Sequence, residues 1–179
     1  MANLGAWTNR SAFVAIATAL ILPTVAPAVW APSAWAQATR DALTAEELET
    51  ALRAAGLDPT IVEDAATGAP VARAEVDGVA FWVRALDCEA GACSTLVFFA
   101  NFGIGRAATA SDLLTLNRFN DRQVFGRAYL LENGREDGVD YVVELDGGVS
   151  MENVASNIGR RADVVEAFID NFRSGPGAA

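Results

Sequence analysis

Two apolar stretches, and the turns around them, constrain this chain more than anything else in it. Val79-Ala80-Phe81-Trp82-Val83 and Leu96-Val97-Phe98-Phe99-Ala100 are short, β-branched and aromatic, the composition of strands rather than helices. Asp77-Gly78, just ahead of the first, is a strong two-residue hairpin signal. A second turn, residues 87–93, lies between the two stretches. Residues 71–76, 79–86 and 94–102 therefore read as three antiparallel strands in a meander. Both stretches are apolar on both faces of their strands, whereas helices packed on one side of a sheet cover only one face. Left bare, the other face would expose a patch of several hundred Å², roughly the limit that soluble monomers tolerate. A second copy of the chain, a client protein or an apolar ligand could cover it. The alternative is that the helices divide between the two faces.

The remaining elements follow from capping and periodicity. Thr44 and Glu47 make a capping box, and Leu48, Ala51, Leu52 and Ala55 fall on one helical stripe that Gly56 ends. Residues 60–64 form a weak short strand. After a loop at 103–110 comes a helix capped by Ser111 and running to about Asp121. Strands at 124–131 and 139–145 follow, joined by a loop holding Asn133-Gly134 and Asp137-Gly138. The last helix is capped by Ser150 and buries Val154, Ile158, Val165, Phe168, Ile169 and Phe172. The order is α-β-β-β-α-β-β-α. It is an α+β fold, an antiparallel sheet with helices packed on it.

The N-terminus has the three-part layout of a secretory signal peptide. Arg10 is its single charge, residues 11–31 are uncharged and mostly apolar, and Ala34-Trp35-Ala36 offers the small residues a signal peptidase reads. An uncleaved anchor is the alternative, since the run is long enough to span a bilayer, but Pro23, Pro27 and the Ala-x-Ala favour cleavage. Residues 1–36 are thus expected to be a signal peptide, 37–173 a single domain and 174–179 a flexible Gly/Pro/Ala tail. The mature protein is expected in the periplasm or medium, with no membrane association once the signal is gone. It keeps all 23 acidic residues against all but one of the 13 basic ones. That balance argues against nucleic acid or an anionic membrane as partner.

The chain contains no histidine, which removes the commonest general base and metal ligand. Serine nucleophiles lack a base for the same reason, and there is no G-x-S-x-G. Cys88 and Cys93, the only cysteines, bracket Glu-Ala-Gly-Ala at a hairpin tip. In an oxidising compartment they are expected to pair as a structural staple, contributing roughly 2 kcal/mol. A redox dithiol is the alternative, although it would usually show as Cys-x-x-Cys at a helix N-terminus. Zinc would need two further ligands. Residues 103–108 fit G-x-G-x-x-G/A, but that motif needs a parallel βαβ unit, so a glycine-rich turn is the better reading. Glu132, Glu136, Asp137 and Asp140 read as solvated turn acids, since a hairpin tip offers no burial and their spacing lacks the EF-hand order of calcium sites. No cofactor and no metal is expected.

One run, residues 80–156, resembles the YbjN-domain family, whose members are described as bacterial sensory transduction regulators. The likeness is carried by Cys88 to Cys93 and the apolar strand after it, by Asn117-Arg118-Phe119-Asn120, by Gly126-Arg127-Ala128-Tyr129-Leu130 and by Gly148-Val149-Ser150. It extends in element order over most of residues 43–172. The resemblance implies a fold similar to the small type III secretion chaperones, α/β domains that dimerise and bind extended clients. It implies no reaction and no catalytic residue. Trp82, Phe99, Asn117, Asn120 and Arg127 are the candidate partner-binding residues. Asn117 and Asn120 could instead cap or brace the loop after their helix, which is the reading their chemistry favours. The function expected is a non-enzymatic, exported protein-binding module, chaperone-like or regulatory, acting on a protein partner or as a homodimer. A small apolar-ligand binder is the alternative, and a thiol–disulfide redox protein a third.

Overall fold

Turn chemistry and capping set the frame of the sheet. The computed structural model describes residues 38–173, which fall within one compact unit. The expected signal peptide and cleavage site (residues 1–36) and the expected tail (174–179) lie outside the described residues. The elements are β1 (Thr39–Arg40), β2 (Leu43–Thr44), α1 (Ala45–Ala54), β3 (Thr60–Glu63), β4 (Pro70–Val76), β5 (Val79–Glu89), β6 (Ala92–Gly103), α2 (Ala110–Arg122), β7 (Arg127–Leu130), β8 (Glu136–Glu144), β9 (Val149–Ser150) and α3 (Met151–Arg173). Among the described residues the fold is α+β, with three helices on an antiparallel sheet. β3 is a full member of that sheet, so the weak strand signal at residues 60–64 marks a real element.

The main sheet has the order β3-β4-β5-β6-β8-β7, with β2 paired to the start of β6. β1 and β9 form a separate two-residue ladder. Asp77 and Gly78 both adopt positive φ, 52° and 78°, the type I′ geometry whose twist matches the strands it joins. The β5–β6 turn is tighter than residues 87–93. Ala90 and Gly91 alone form it, with φ of 50° and 85°, so both cysteines sit inside strands.

β3 to β6 form a meander. The chain then leaves β6 through α2, lays β7 at the edge and returns as β8 in the gap between. β8 is thereby paired on both sides, with β6 from Thr95–Glu144 to Gly103–Glu136 and with β7 from Arg127–Asp140 to Leu130–Asp137. This corrects the expectation that Asp137-Gly138 is a turn: both residues are inside β8. It also corrects the acid cluster, because Asp137 and Asp140 are buried, 5% and 8% exposed. β7 starts at Arg127 rather than 124, because Val124 and Phe125 stand in solvent at 86% and 51% exposure and Gly126 breaks the strand at φ 91°.

α1 and α2 begin where a carboxylate can reach back, and α3 at a serine cap. In α1 the Glu47 N–H donates to Thr44 Oγ1 at 3.2 Å and the Thr44 N–H to Glu47 Oε2 at 3.1 Å, as the capping box requires. Leu48, Ala51 and Leu52 are buried, but Ala55 is the exposed C-cap. The N-cap of α2 is Thr109, not Ser111. Its N–H donates to Asp112 Oδ2 at 2.6 Å, a carboxylate three residues on that Ser111 has no equivalent of. Ser150 Oγ accepts from the Asn153 N–H at 3.1 Å and starts α3.

All three helices pack on one face of the sheet. Strand residues Phe81, Val83, Ala85, Leu96, Phe98, Ala100, Val139, Tyr141 and Val143 share one core with α1 (Leu48, Leu52), α2 (Leu116, Phe119) and α3 (Val154, Ile158, Val165, Phe168). Ile169 and Phe172 flank that core and are partly buried. The helices therefore do not divide between two faces. Among the described residues, the second face is uncovered.

Gly138 is where this face closes on the backbone. A Cβ there would sit 2.5 Å from Asn101 Oδ1, 2.8 Å from Ala100 O and 2.8 Å from the Tyr129 ring. Gly138→Ala should lower stability by about 1–3 kcal/mol, the usual cost of overpacking, read as a fall in urea midpoint at unchanged slope.

Candidate functional site

Alternation along the central strands builds the uncovered face. Every residue two positions from a core residue's neighbour points outward, so Trp82 and Arg84 of β5, Val97, Phe99 and Asn101 of β6, Asp140 and Val142 of β8, and Arg127 and Tyr129 of β7 lie on it together. Trp82 is registered opposite Phe99, and their rings stack at 5.7 Å with 17° between planes. The Arg84 guanidinium lies 5.4 Å from the Phe99 ring centre. Val142, beside Val97 in register, is 56% exposed.

The other end of the face is polar and internally satisfied. Arg127 donates to both oxygens of Asp140, Nε to Oδ1 at 3.2 Å and Nη2 to Oδ2 at 2.6 Å. This is the bidentate fork that fixes both side chains, and the guanidinium also lies 5.9 Å from the Tyr129 ring. Tyr129 donates to Asn101 Oδ1 at 2.7 Å. Burial, reinforced by the charge of Asp140, pushes the Tyr129 hydroxyl up to about 12, so it stays a neutral donor. Between these groups the face dips into a shallow concavity of about 360 Å³, floored by Val97 and Phe99 and walled by Arg84, Tyr129 and Asp140.

The structure thus gathers Trp82, Phe99 and Arg127 on one surface and leaves Asn117 and Asn120 off it. Asn117 is exposed on α2. Asn120 braces the chain after α2: its Nδ2 donates to Ala128 O at 3.0 Å, and its Oδ1 accepts from the Ala128 N–H at 2.6 Å. The side chain pairs with edge strand β7 as another strand would, which hinders strand addition at that position. Arg84, Asn101, Tyr129 and Val142 were not among the sequence candidates. The signal was available, since Arg84 stands two residues from Trp82 and Asn101 two from Phe99.

Cys88 and Cys93 are cross-strand partners with Sγ atoms 2.14 Å apart, bonded as a disulfide. Cys93 is fully buried against the base of α1's strand, β2. The loop at residues 104–109 offers no anion site at the start of α2, because Asp112 already occupies it. Burdened by two hydrogen bonds from Arg106, at 2.7 and 2.8 Å, its carboxyl is held well below the usual range. No group of three or more metal-ligating side chains occurs among the described residues, and no described helix is long and apolar enough to cross a membrane.

A family model for YbjN, described as "Putative bacterial sensory transduction regulator", matches residues 44–174. The chain belongs to the YbjN family. Among solved structures it is similar to "YbjN, a putative transcription regulator from E. coli", with a TM-score of 0.55, 17% identity, and coverage of 72% of this chain and 90% of that one. It is also similar to an uncharacterized protein from Methanothermobacter thermautotrophicus, with a TM-score of 0.49, 15% identity, and coverage of 73% and 98%. At such identities the E. coli structure speaks for the YbjN fold alone. The search of curated proteins returned no match.

One group near the rim of this YbjN domain is out of its element. Asp137 points to the helix side at the end of β8, opposite Phe102 and Leu130, and burial raises its carboxyl to about 6, with the charge of Asp112 adding to the effect. The folded state therefore holds this proton to higher pH than the unfolded chain, whose value is near 3.8. The contribution of Asp137 to stability should therefore be greatest below about pH 4 and be lost as pH rises through 6. Asp137→Asn should remove the decline and raise stability at pH 7 by about 1–3 kcal/mol, measured by denaturant unfolding at pH 4 and 7. A variant with the wild-type pH slope would show that Asp137 is not its source.

Proposed function

We propose that this chain is a non-enzymatic protein-binding module whose docking surface is the open face of the sheet. We also propose that residues 1–36 carry it out of the cytoplasm, to the periplasm or the medium. The observation that supports the first reading is the stacked, half-buried pair Trp82–Phe99 with Val97 and the exposed Val142 around it, on a sheet whose other face holds the three described helices. Aromatic residues and arginine in a shallow, preformed surface are the usual anchors of protein interfaces. Here the strand backbones are already paired, so a partner would be recognised by side-chain packing on the face. The family description as a sensory transduction regulator fits a role exercised through a protein partner. A second copy of the chain and an extended client are both partners of this kind.

The export reading rests on the Arg10, apolar and Ala34-Trp35-Ala36 layout, and a disulfide at Cys88–Cys93 is in keeping with an oxidising compartment.

Trp82→Ser with Phe99→Ser should leave the chain folded while lowering its unfolding free energy by about 2–4 kcal/mol, because both side chains are half-buried and stacked. The same pair should abolish self-association in sedimentation, or capture of a stoichiometric envelope protein by the tagged wild type. Unchanged assembly and capture in the variant would exclude this face. Mass spectrometry of the protein recovered from its host should find Gln37 at the N-terminus; an intact Met1 to Ala36 would refute cleavage.

A further inference from the structure

A second concavity, on the helix side, is built differently. It lies between α3 and the β4–β5 hairpin and has a volume of about 360 Å³, within the range of small-molecule sites. Val76, Val79, Phe81, Val165 and Ile169 make its apolar walls. Arg161, on α3, forms its floor and is only 7% exposed. The guanidinium carbon lies over the Phe81 ring, 3.9 Å from its centre. Contact with the ring takes one side of the guanidinium and leaves its terminal N–H donors, rather than Nε, to an acceptor in the pocket.

This cation has no ion-pair partner among the described residues. The Arg161 Nε is out of solvent and has no hydrogen-bond partner, and among the described residues no carboxylate forms an ion pair with it. A buried guanidinium without an anion is costly, and native structures rarely leave one so. On α3 the residues one turn away are Asn157, Ile158, Val164 and Val165, so the helix supplies no acid at the spacing that would pair with it. Three carboxylates do belong to the pocket, Asp77 from the hairpin turn and Glu166 and Asp170 from α3. All three are exposed, at the mouth rather than on the floor.

A single anion is called for at the floor, a cation is favoured at the mouth, and the walls between are aliphatic and aromatic. We infer that this pocket binds an apolar α-amino acid, its carboxylate on the edge of Arg161, its ammonium toward Asp77, Glu166 and Asp170, and its side chain against Val79 and Val165. The site lies on the opposite side of the sheet from Trp82 and Phe99 and is independent of the reading given for that face. The acids at the mouth disfavour dianions, and the lack of a second cation among the lining residues leaves a phosphate ester under-neutralised.

Calorimetric titration of the purified chain with L-phenylalanine, 3-phenylpropionate and phenethylamine tests this directly. Phenylalanine should bind, phenylpropionate at least threefold more weakly for want of the ammonium, and phenethylamine not measurably. Arg161→Gln should weaken phenylalanine at least tenfold, whereas Trp82→Ser should not change it. The three-ligand comparison uses wild-type protein alone, so it decides the matter even if Arg161→Gln does not fold. No heat with phenylalanine up to about 10 mM, a limit well above ordinary metabolite affinities, would overturn the inference. So would phenethylamine or phenylpropionate binding as well as phenylalanine, or undiminished binding by a folded Arg161→Gln.

Discussion

Strand β6 is the element on which the rest of this structure depends. It pairs with β5 along one edge and with β8 along the other, and its first residues also hold β2. From Leu96 to Asn101 its side chains alternate between the two faces. Leu96, Phe98 and Ala100 enter the core under the helices, and Val97, Phe99 and Asn101 emerge on the open face. Apolar character on both faces is what a strand buried on both sides ordinarily shows, yet here one side meets helices and the other meets none of the described residues. A one-residue slip of β6 would exchange the two sets. The disulfide to β5 at one end, and the close approach of Gly138 to Ala100 and Asn101 at the other, oppose such a slip.

The return of β8 into the gap between β6 and β7 explains where sequence reading went astray. A meander is legible because each turn is local: Asp77-Gly78 announced itself, and β4, β5 and β6 followed. The crossover through α2 has no such local mark. Asp137-Gly138 has the chemistry of a turn, but its glycine serves a different purpose, making room for Tyr129 and Asn101 where three strands crowd together. The same insertion buries Asp137 and Asp140, which a hairpin tip would have left in water. Tertiary context overrode a correct reading of local preference, as it often does for strands.

The open face was half legible. Trp82 and Phe99 stand out because two large aromatics at mid-strand positions draw attention by size. Arg84, Asn101 and Tyr129 share their surface by simple alternation, but the register that joins β5, β6, β8 and β7 is set by contacts distant in sequence. Asn120 shows the opposite case. Its position in a family motif made it a partner-binding candidate, but the chemistry of its amide favoured a brace, and that amide satisfies both backbone groups of Ala128. Arg161 was hidden by its own charge. It falls on the stripe Val154, Ile158, Val165, Phe168 at helical spacing, and a search for apolar residues passes over the one cation in the row.

Phe81 and Trp82 are neighbours on β5 and point to opposite sides of the sheet, one under Arg161 and the other against Phe99. The two concavities lie on opposite sides of the sheet, and β5 lines both, with Val79 and Phe81 on one side and Arg84 and Leu86 on the other. Proximity of this kind does not by itself couple two sites; coupling requires an element with two arrangements that both sites bias. β5 is a poor choice for that element, since it is paired on both edges and stapled at its end. The β4–β5 turn is a better one, because Asp77 stands at its tip, exposed, on the rim of the Arg161 pocket. A charge bound beneath that turn would act first on the hairpin's position relative to α3, and the open face would feel it only through the strands that the hairpin joins.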